Sequence, residues 1–474
     1  MMATFTAAVE STIVATAMPT IVAELKGAEL YSWVFSAYLL TQAVTIPIYG
    51  RLADLYGRKR VFVAGSAMFL LGSALCGLAD GITTLILFRA VQGCGAGAVQ
   101  PIAYTIVGDI YTPIERARIQ GMLSGVFGAA AILGPTLGSV LVQAGSWRYV
   151  FWINLPIIIA AIVMVMLFLR KDHATRQHRI DILGAMLLVA GIGAIILAAD
   201  RWRHLGGASA AVSACTGIAA LLALARHERR APEPMLPISL WQSRIIVIGV
   251  LGGFAVGAAI MSVLAFLPSY VQAVMGRNAD KAGLVLGIMM VVWTCGSIAA
   301  GRLMVHVSYR SMGRAGGMLI MGGAAMLITL TPLSSIAHAA MAASVIGIGL
   351  GFCNTTWIVS VQTRVSYDQR GSATSAVMFM RFLGQALGAA FAGVILSVGF
   401  NYKVPQIADP LGRLLGSRPA DGLAGVDPDG LAFAVSYAFR GVFLMTALMG
   451  LAILALAVQL PRGISAGSVT RPRD

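Results

Sequence analysis

Charged residues are scarce in this chain of 474 amino acids. Only 11% of the residues are Asp, Glu, Lys or Arg, whereas 58% are hydrophobic and the mean hydropathy is +0.84. Since a soluble domain carries roughly a quarter charged residues, too few charges are present here to cover a water-soluble globule. The composition argues against a soluble enzyme, a nucleic-acid-binding protein and a disordered chain, and it indicates a polytopic membrane protein.

Cysteine and histidine are also rare. The five cysteines all lie in apolar stretches, none of them forms a CxxC pair, and the six histidines form no HExxH motif. This pattern argues against a disulfide framework and a zinc site. We therefore predict that the protein is not an enzyme and has no catalytic residue, metal or cofactor.

What the sequence has in abundance is long apolar runs. A run of about 20 apolar residues crosses the roughly 30 Å hydrocarbon layer of a bilayer as a helix. We find fourteen such runs, and we expect no cleavable signal peptide before them. They lie near 1–23, 31–50, 61–79, 84–106, 119–142, 149–169, 182–199, 208–225, 245–270, 282–304, 315–333, 337–361, 372–399 and 440–460.

The net charge of +15 is distributed unevenly over the loops between these runs. With the amino terminus placed in the cytoplasm, 22 of the 34 Lys and Arg residues fall on the cytoplasmic side, 10 fall outside, and two lie within runs. Cytoplasmic loops of membrane proteins are enriched in these residues. We predict an inner (plasma) membrane protein with both termini in the cytoplasm.

The basic segments 170–181 and 226–244 divide the runs into six, two and six. Such a pattern is typical of an internal repeat. We predict an all-α polytopic protein with a first six-helix bundle at 1–170, a linker with two inserted transmembrane helices at 171–243, and a second six-helix bundle at 244–474.

Three ionisable residues lie deep within the runs. Glu10 is about 14 Å into the first run, near the bilayer midplane, while Arg89 and Arg381 lie in the fourth and thirteenth. Ionisable groups at such depth are costly and mark functional sites. A Glu10–Arg89 pair would form if the first and fourth helices touch, and it could either exchange a proton or serve only as a structural ion pair.

Several motifs together resemble one family, the major facilitator superfamily, in its fourteen-span drug:H+ antiporter branch (QacA/EmrB-like). The loop GRLADLYGRKR at 50–60 resembles the family's signature between spans two and three. The segment LILFRAVQG at 85–93 is similar to its fourth-span motif, and GPTLG at 134–138 is similar to the fifth-span motif of exporters. The segments ESTIVATAMP at 10–19 and WRYVFWINLP at 147–156 resemble further stretches of that branch, which usually has Asp where this chain has Glu10.

This resemblance implies a major facilitator fold of two six-helix bundles plus two inserted helices. It implies proton-coupled efflux of lipophilic drugs or toxic organic compounds by alternating access, with Glu10 and Arg89 in proton coupling. Asp54 would sit at the start of span thirteen and Arg58 would pair with Asp109. The gating residues it implies are Gly50, Asp54, Gly57, Arg58, Lys59, Asp109, Gly134, Pro135 and Gly138.

The cavity of such a carrier would use adaptable apolar side chains. Outside the first run no carboxylate lies deep in a run, which favours neutral or monocationic lipophilic substrates. The other partners we predict are protons and the lipid bilayer, with the chain as a monomer. Exporters of a lipid or siderophore-like metabolite, and metabolite/proton symporters, stay as alternatives. Candidate substrate-binding residues are Phe266, Trp293, Asn354, Trp357, Met378, Phe379 and Arg381.

Overall fold

The computed structural model of the chain describes residues 1–25, 31–169, 181–204, 207–231, 241–403 and 428–461. Within these ranges the secondary structure is helical, without strands. The first half consists of α1 (Met2–Leu25), α2 (Tyr31–Tyr56), α3 (Arg58–Cys76), α4 (Ile82–Ile110), α5 (Pro113–Gln143), the single turn α6 (Tyr149–Trp152) and α7 (Asn154–Phe168).

Two helices follow between the halves, α8 (Ile182–His204) and α9 (Gly207–Glu228). The second half consists of α10 (Arg244–Ser269), continued by a π-helical turn at Tyr270–Val274, then α11 (Ala279–Leu303), α12 (Tyr309–Ile328), α13 (Ile336–Gln362), α14 (Arg370–Lys403) and α15 (Pro428–Val458). A 3₁₀ turn at Tyr367–Gln369 precedes α14.

Ten helices in the described ranges are long and apolar enough to cross a membrane. Helices cover parts of all fourteen predicted runs, but α1, α2, α5 and α8 are not among these ten, and α1 and α8 contribute only shorter apolar stretches. The chain is therefore an all-helical membrane protein, while the count of fourteen spans stays a prediction.

Packing is densest within each half. In the first half α4 packs against α2 and α3, and α1 packs against α5; in the second half α14 packs against α10, and α12 against α13 and α15. Between the halves, α5 packs against α11, and α2 against α14. The inserted helix α8 lies against both α2 and α14, so it covers the seam between the halves.

Local sequence signals determine where two helices of the first half, α3 and α5, begin. Thr112 caps α5 in a capping box with Glu115, and Pro113 follows at the first helical position, where proline is tolerated. Gly57 separates α2 from α3 with a φ of 89°, a backbone conformation that residues with a Cβ adopt only at a cost. These signals fix where α3 and α5 begin.

Candidate functional site

The intramembrane charges of the first half form an ion pair. Arg89 Nη1 of α4 donates a hydrogen bond of 2.5 Å to Glu10 Oε1 of α1. Glu10 is fully buried and Arg89 is 1% exposed. The contact that the sequence predicted between the first and fourth helices is therefore present, while its role in proton coupling stays a prediction.

Neutral polar side chains complete this site. Asn154, at the start of α7, donates its amide to Glu10 Oε2 and, at 3.1 Å, to Ser73 Oγ. Gln92 Oε1 accepts a 2.6 Å hydrogen bond from Arg89, and its amide nitrogen donates to Ser73 Oγ at 3.0 Å. Helices α1, α3, α4 and α7 thus meet in one buried network, which we call the Glu10 network.

Arg89 has partners that do not depend on the charge of Glu10. Its Nε donates to the carbonyl of Val34 at 3.3 Å, and its guanidinium lies 4.1 Å from the centre of the Tyr38 ring. An aromatic face attracts a cation through its quadrupole. Together with Gln92, these contacts could hold Arg89 in place whether Glu10 is ionised or protonated.

Sequence reasoning missed the neutral members of this network. Gln92 lies one helical turn after Arg89 in the same motif, so the shared helix face was a usable signal. Asn154 lies in the segment 147–156 that resembles a family stretch, whereas Ser73 and Tyr38 carry no pattern that distinguishes them from ordinary polar residues in a membrane helix.

A second cluster joins the two halves at one end of the molecule. Asp54, at the end of α2, accepts hydrogen bonds from the backbone N–H groups of Gly371 at 2.9 Å and Ser372 at 2.7 Å, and from Ser372 Oγ at 2.6 Å. A carboxylate is stabilised at a helix amino terminus by the exposed N–H groups and the helix dipole. The predicted position of Asp54 at the start of span thirteen matches this contact with α14.

Two arginines connect this cluster to a second carboxylate, Asp109. Arg58 lies 3.0 Å from Asp54 Oδ1, donates to Asp109 Oδ2 at 2.8 Å, and reaches the carbonyl of Tyr367 in the second half at 2.6 Å. Arg370 of α14 crosses the seam in the opposite direction and donates to Asp109 Oδ1 at 2.7 Å. We call these residues, with Gly371 and Ser372, the Asp54 clasp.

The glycines of the same loop allow close approach. A Cβ on Gly50 would lie 2.3 Å from Ser375 Oγ of α14, so only glycine fits there without displacing a neighbour. Lys59 points elsewhere: its Nζ donates to the carbonyls of Met166 at 2.6 Å and Leu169 at 2.7 Å, at the end of α7. Lys59 therefore binds within the first half.

The fifth-span motif also lies at a close helix contact. A Cβ on Gly134 would lie 1.9 Å from Thr12 Oγ1, and one on Gly138 would lie 3.1 Å from the carbonyl oxygen of Ile13. Both contacts join α5 to α1, the helix that carries Glu10. Helix α5 continues through position 135, and the side chain of Pro135 lies outside the part of the chain that can be described.

The candidate substrate residues separate into two groups. Asn354, Trp357, Met378 and Arg381 line one small cavity between α10, α13 and α14. Phe379 is buried, whereas Phe266 and Trp293 are half-buried and pack against the core of the second half. The role of all seven in substrate binding stays a prediction.

Residues 1–389 match the Major Facilitator Superfamily, and the chain belongs to this family. It is 32% identical over 447 residues to "Multidrug transporter protein MdtP" of Bacillus subtilis, covering 90% of this chain and 81% of the relative. It is also 32% identical over 423 residues to "Multidrug resistance protein 3" of Bacillus subtilis, covering 88% and 82%. The protein is thus a membrane transporter and not an enzyme, with relatives named for multidrug transport.

Solved structures share the fold at low sequence identity. A proton:xylose symporter, XylE, superposes with a TM-score of 0.65 at 13% identity and covers 99% of this chain and 97% of that one. The human organic anion transporter MFSD10 has a TM-score of 0.63 at 13% identity, covering 95% and 97%. At this identity the likeness shows the fold alone.

Proposed function

We propose that the protein exports lipophilic drugs or toxic organic compounds across the cytoplasmic membrane in exchange for protons, by alternating access. The observation that carries this proposal is the buried carboxylate of Glu10, held between a cation and a neutral amide at the centre of the first half. The names of the relatives support efflux of drugs. The similarity to the drug:H+ antiporter branch supports proton exchange.

Protonation would change the Glu10 network in a defined way. As a carboxylate, Glu10 accepts hydrogen bonds from Arg89 and Asn154. As an acid, it loses the ion pair and gains a hydroxyl that needs an acceptor. When Glu10 takes up a proton, Arg89 would still have hydrogen-bond acceptors, because it keeps its bonds to Gln92 and to the carbonyl of Val34.

We propose that the Asp54 clasp holds the cytoplasmic ends of the two halves together in a state that is closed towards the cytoplasm. Opening would break the bonds of Asp54 to α14 and the bond of Arg370 to Asp109. The contacts of Arg58 with both aspartates lie within the first half, and they would survive. Asp54 and Asp109 would therefore stay paired with Arg58 in both states.

The membrane arrangement that we propose follows the sequence prediction. Fourteen spans would place both termini in the cytoplasm, with bundles at 1–170 and 244–474 and an inserted pair within 171–243. The position of α8 against α2 and α14 supports the inserted pair as a cover for the seam between the bundles. We propose a monomer in the inner membrane, because both bundles of the transport path lie within one chain.

Transport direction separates this proposal from its alternatives. In liposomes with an acidic interior and the membrane potential clamped by valinomycin and equal potassium, protons flow outwards through the protein. Antiport would then accumulate tetraphenylphosphonium, a permanent monocation, whereas symport would carry it outwards. Accumulation that a protonophore abolishes is the expected result. If no member of a panel of lipophilic probes accumulated, the metabolite importer or the lipid exporter would be favoured.

A further inference from the structure

One buried arginine in the second half has no carboxylate beside it. Arg381, at 6% exposure, donates from Nη1 to the neutral oxygen of Asn354 Oδ1 at 2.8 Å. Among the described residues no Asp or Glu lies within 4.0 Å of its guanidinium, whereas Arg58 and Arg89, also buried, each form an ion pair with an acid. A buried charge normally requires a partner of opposite sign.

The cavity beside Arg381 presents unused donors. The Nε of Arg381 and the indole Nε1 of Trp357 are buried and have no hydrogen-bond partner in the described structure. Both residues line the same cavity between α10, α13 and α14. A guanidinium and an indole N–H can only donate hydrogen bonds, so the group that satisfies them must be an acceptor.

Apart from Asn354, the rest of the lining is apolar. Val256, Ile358, Val377 and Met378 surround the two donors, and Gly253 lets α10 approach α14 closely, because a Cβ there would lie 2.8 Å from the Val377 carbonyl oxygen. A water molecule could accept a hydrogen bond from either donor, but it would leave the positive charge of Arg381 uncompensated. An anion would satisfy the donors and the charge together, at a strength that the apolar surroundings increase.

We propose that Arg381 is the recognition site for one monovalent anionic group, either the carboxylate of a lipophilic substrate or a chloride ion. The carboxylate arm rests on the proposed function, because it assumes that lipophilic compounds enter the protein. The sequence prediction of neutral or monocationic substrates was based only on the acidic side chains of the spans, and this proposal adds anionic substrates to it. Trp357 acts with Arg381 as the second donor.

The position of Arg381 would link this site to the Asp54 clasp. Helix α14 begins with Arg370, Gly371 and Ser372, which hold the clasp closed, and Arg381 follows about three turns later on the same helix. The cavity has a volume of about 10 Å³ in this closed state, enough for about one water molecule. A carboxylate would enter when the clasp opens and α14 moves.

Binding of a matched acid and amide tests the proposal without any proton gradient. Sodium 1-naphthoate and 1-naphthamide have the same ring system and differ in charge, and their affinities for the purified protein can be measured by calorimetry. We expect the wild type to bind naphthoate at least tenfold more tightly than naphthamide. Arg381→Gln should bind both with the affinity that the wild type has for the amide.

Two further variants are controls for a loss of folding and for a general effect of removing a positive charge. Arg381→Lys keeps the charge but not the planar fork of donors, and we expect it to retain part of the preference for the acid. Arg118→Gln removes an exposed arginine from the first half and should leave the preference unchanged. If Arg381→Gln does not fold, the wild type and Arg381→Lys still decide the question.

A second experiment tests whether the bound anion is an inorganic ion. The melting temperature of the wild type and of Arg381→Lys is compared in sodium chloride and sodium isethionate at equal ionic strength. Stabilisation by chloride that is weaker in the variant would support the site with chloride as its occupant. The proposal is overturned if the wild type binds acid and amide equally and chloride has no effect that depends on Arg381. Since binding is measured at equilibrium, failure of proton-coupled export would not alter this result.

Discussion

One ion pair of the Asp54 clasp, between Arg370 and Asp109, can be removed while Asp109 keeps a second arginine as its partner. Arg370 donates to Asp109 Oδ1 at 2.7 Å and to the carbonyl of Gly108 at 2.9 Å, both across the seam. In Arg370→Gln, Asp109 keeps its ion pair with Arg58. The substitution therefore weakens the closed state and leaves the first half intact.

The magnitude follows from the burial of the pair. A hydrogen bond to a charged group contributes about 1.5–3 kcal/mol when buried and less when water reaches it. Because the Arg370 side chain is 16% exposed, we expect its two bonds together to stabilise the closed state by about 1.5–3 kcal/mol. Losing them should raise the ratio of open to closed molecules by about 10-fold to 150-fold, since 1.4 kcal/mol is tenfold.

Spin labels can measure this ratio. Arg60 and Arg364 are exposed, lie on opposite sides of the seam and take no part in the clasp. Cysteines placed there, after serine replaces the accessible Cys94, Cys215 and Cys295, would report the distance between the halves by electron paramagnetic resonance. Arg370→Gln should increase the long-distance population.

The matched control is Arg118→Gln, which removes an exposed arginine near the same end of the first half. Its distance distribution should equal that of the labelled wild type. An unchanged distribution in Arg370→Gln, or an equal shift in Arg118→Gln, would refute the assignment of the clasp as the contact that keeps this end closed.

Two other predictions concern stability. Gly57→Ala places a Cβ at a φ of 89° and should cost about 1–2 kcal/mol, lowering the melting temperature, whereas Gly283→Ala, which has open space and lies in α11, should leave it unchanged or raise it. Arg148 lowers the pKa of the exposed Glu24 carboxyl below its ordinary value of 4.5 through a hydrogen bond, so its contribution to stability is present above pH 4.5 and is lost as the pH falls through the lowered pKa. Melting curves from pH 7 to pH 3 should show this loss in the wild type and not in Glu24→Gln; equal pH profiles would contradict it.

The positions of the helices and the pairing of Glu10 with Arg89 could be predicted from the charge and hydropathy of the sequence. Ionisable residues in apolar runs are rare enough to stand out, so Glu10 and Arg89 could be paired from the sequence before their contact was seen. Apolar runs located the helices, because a membrane helix must satisfy its backbone internally over a fixed length. The motif at 50–60 located the first half of the clasp through its resemblance to a family.

The partners across the seam could not be predicted in the same way. Arg370 belongs to none of the recognised motifs, and its contact with Asp109 joins positions separated by 261 residues. Gln362 illustrates the same limit: its amide donates to the carbonyl of Tyr104 at 3.1 Å, yet glutamine at a helix end carries no sequence signal. Lys59 stands within the recognised loop but binds the end of α7, because adjacent residues on a helix point in different directions.

The most direct test of the central claim compares the number of protons that the wild type and Glu10→Gln release when a compound binds. Tetraphenylphosphonium is added to purified protein in weakly buffered detergent with a pH indicator, and its binding is followed separately by tryptophan fluorescence. Glu24→Gln, which changes an exposed carboxylate on the same helix, is the control. At a pH at which Glu10 is protonated before the compound binds, the account predicts that the wild type and the control release close to one proton per bound compound, while Glu10→Gln binds the compound and releases none. Equal proton release from Glu10→Gln would show that the coupled proton is carried elsewhere.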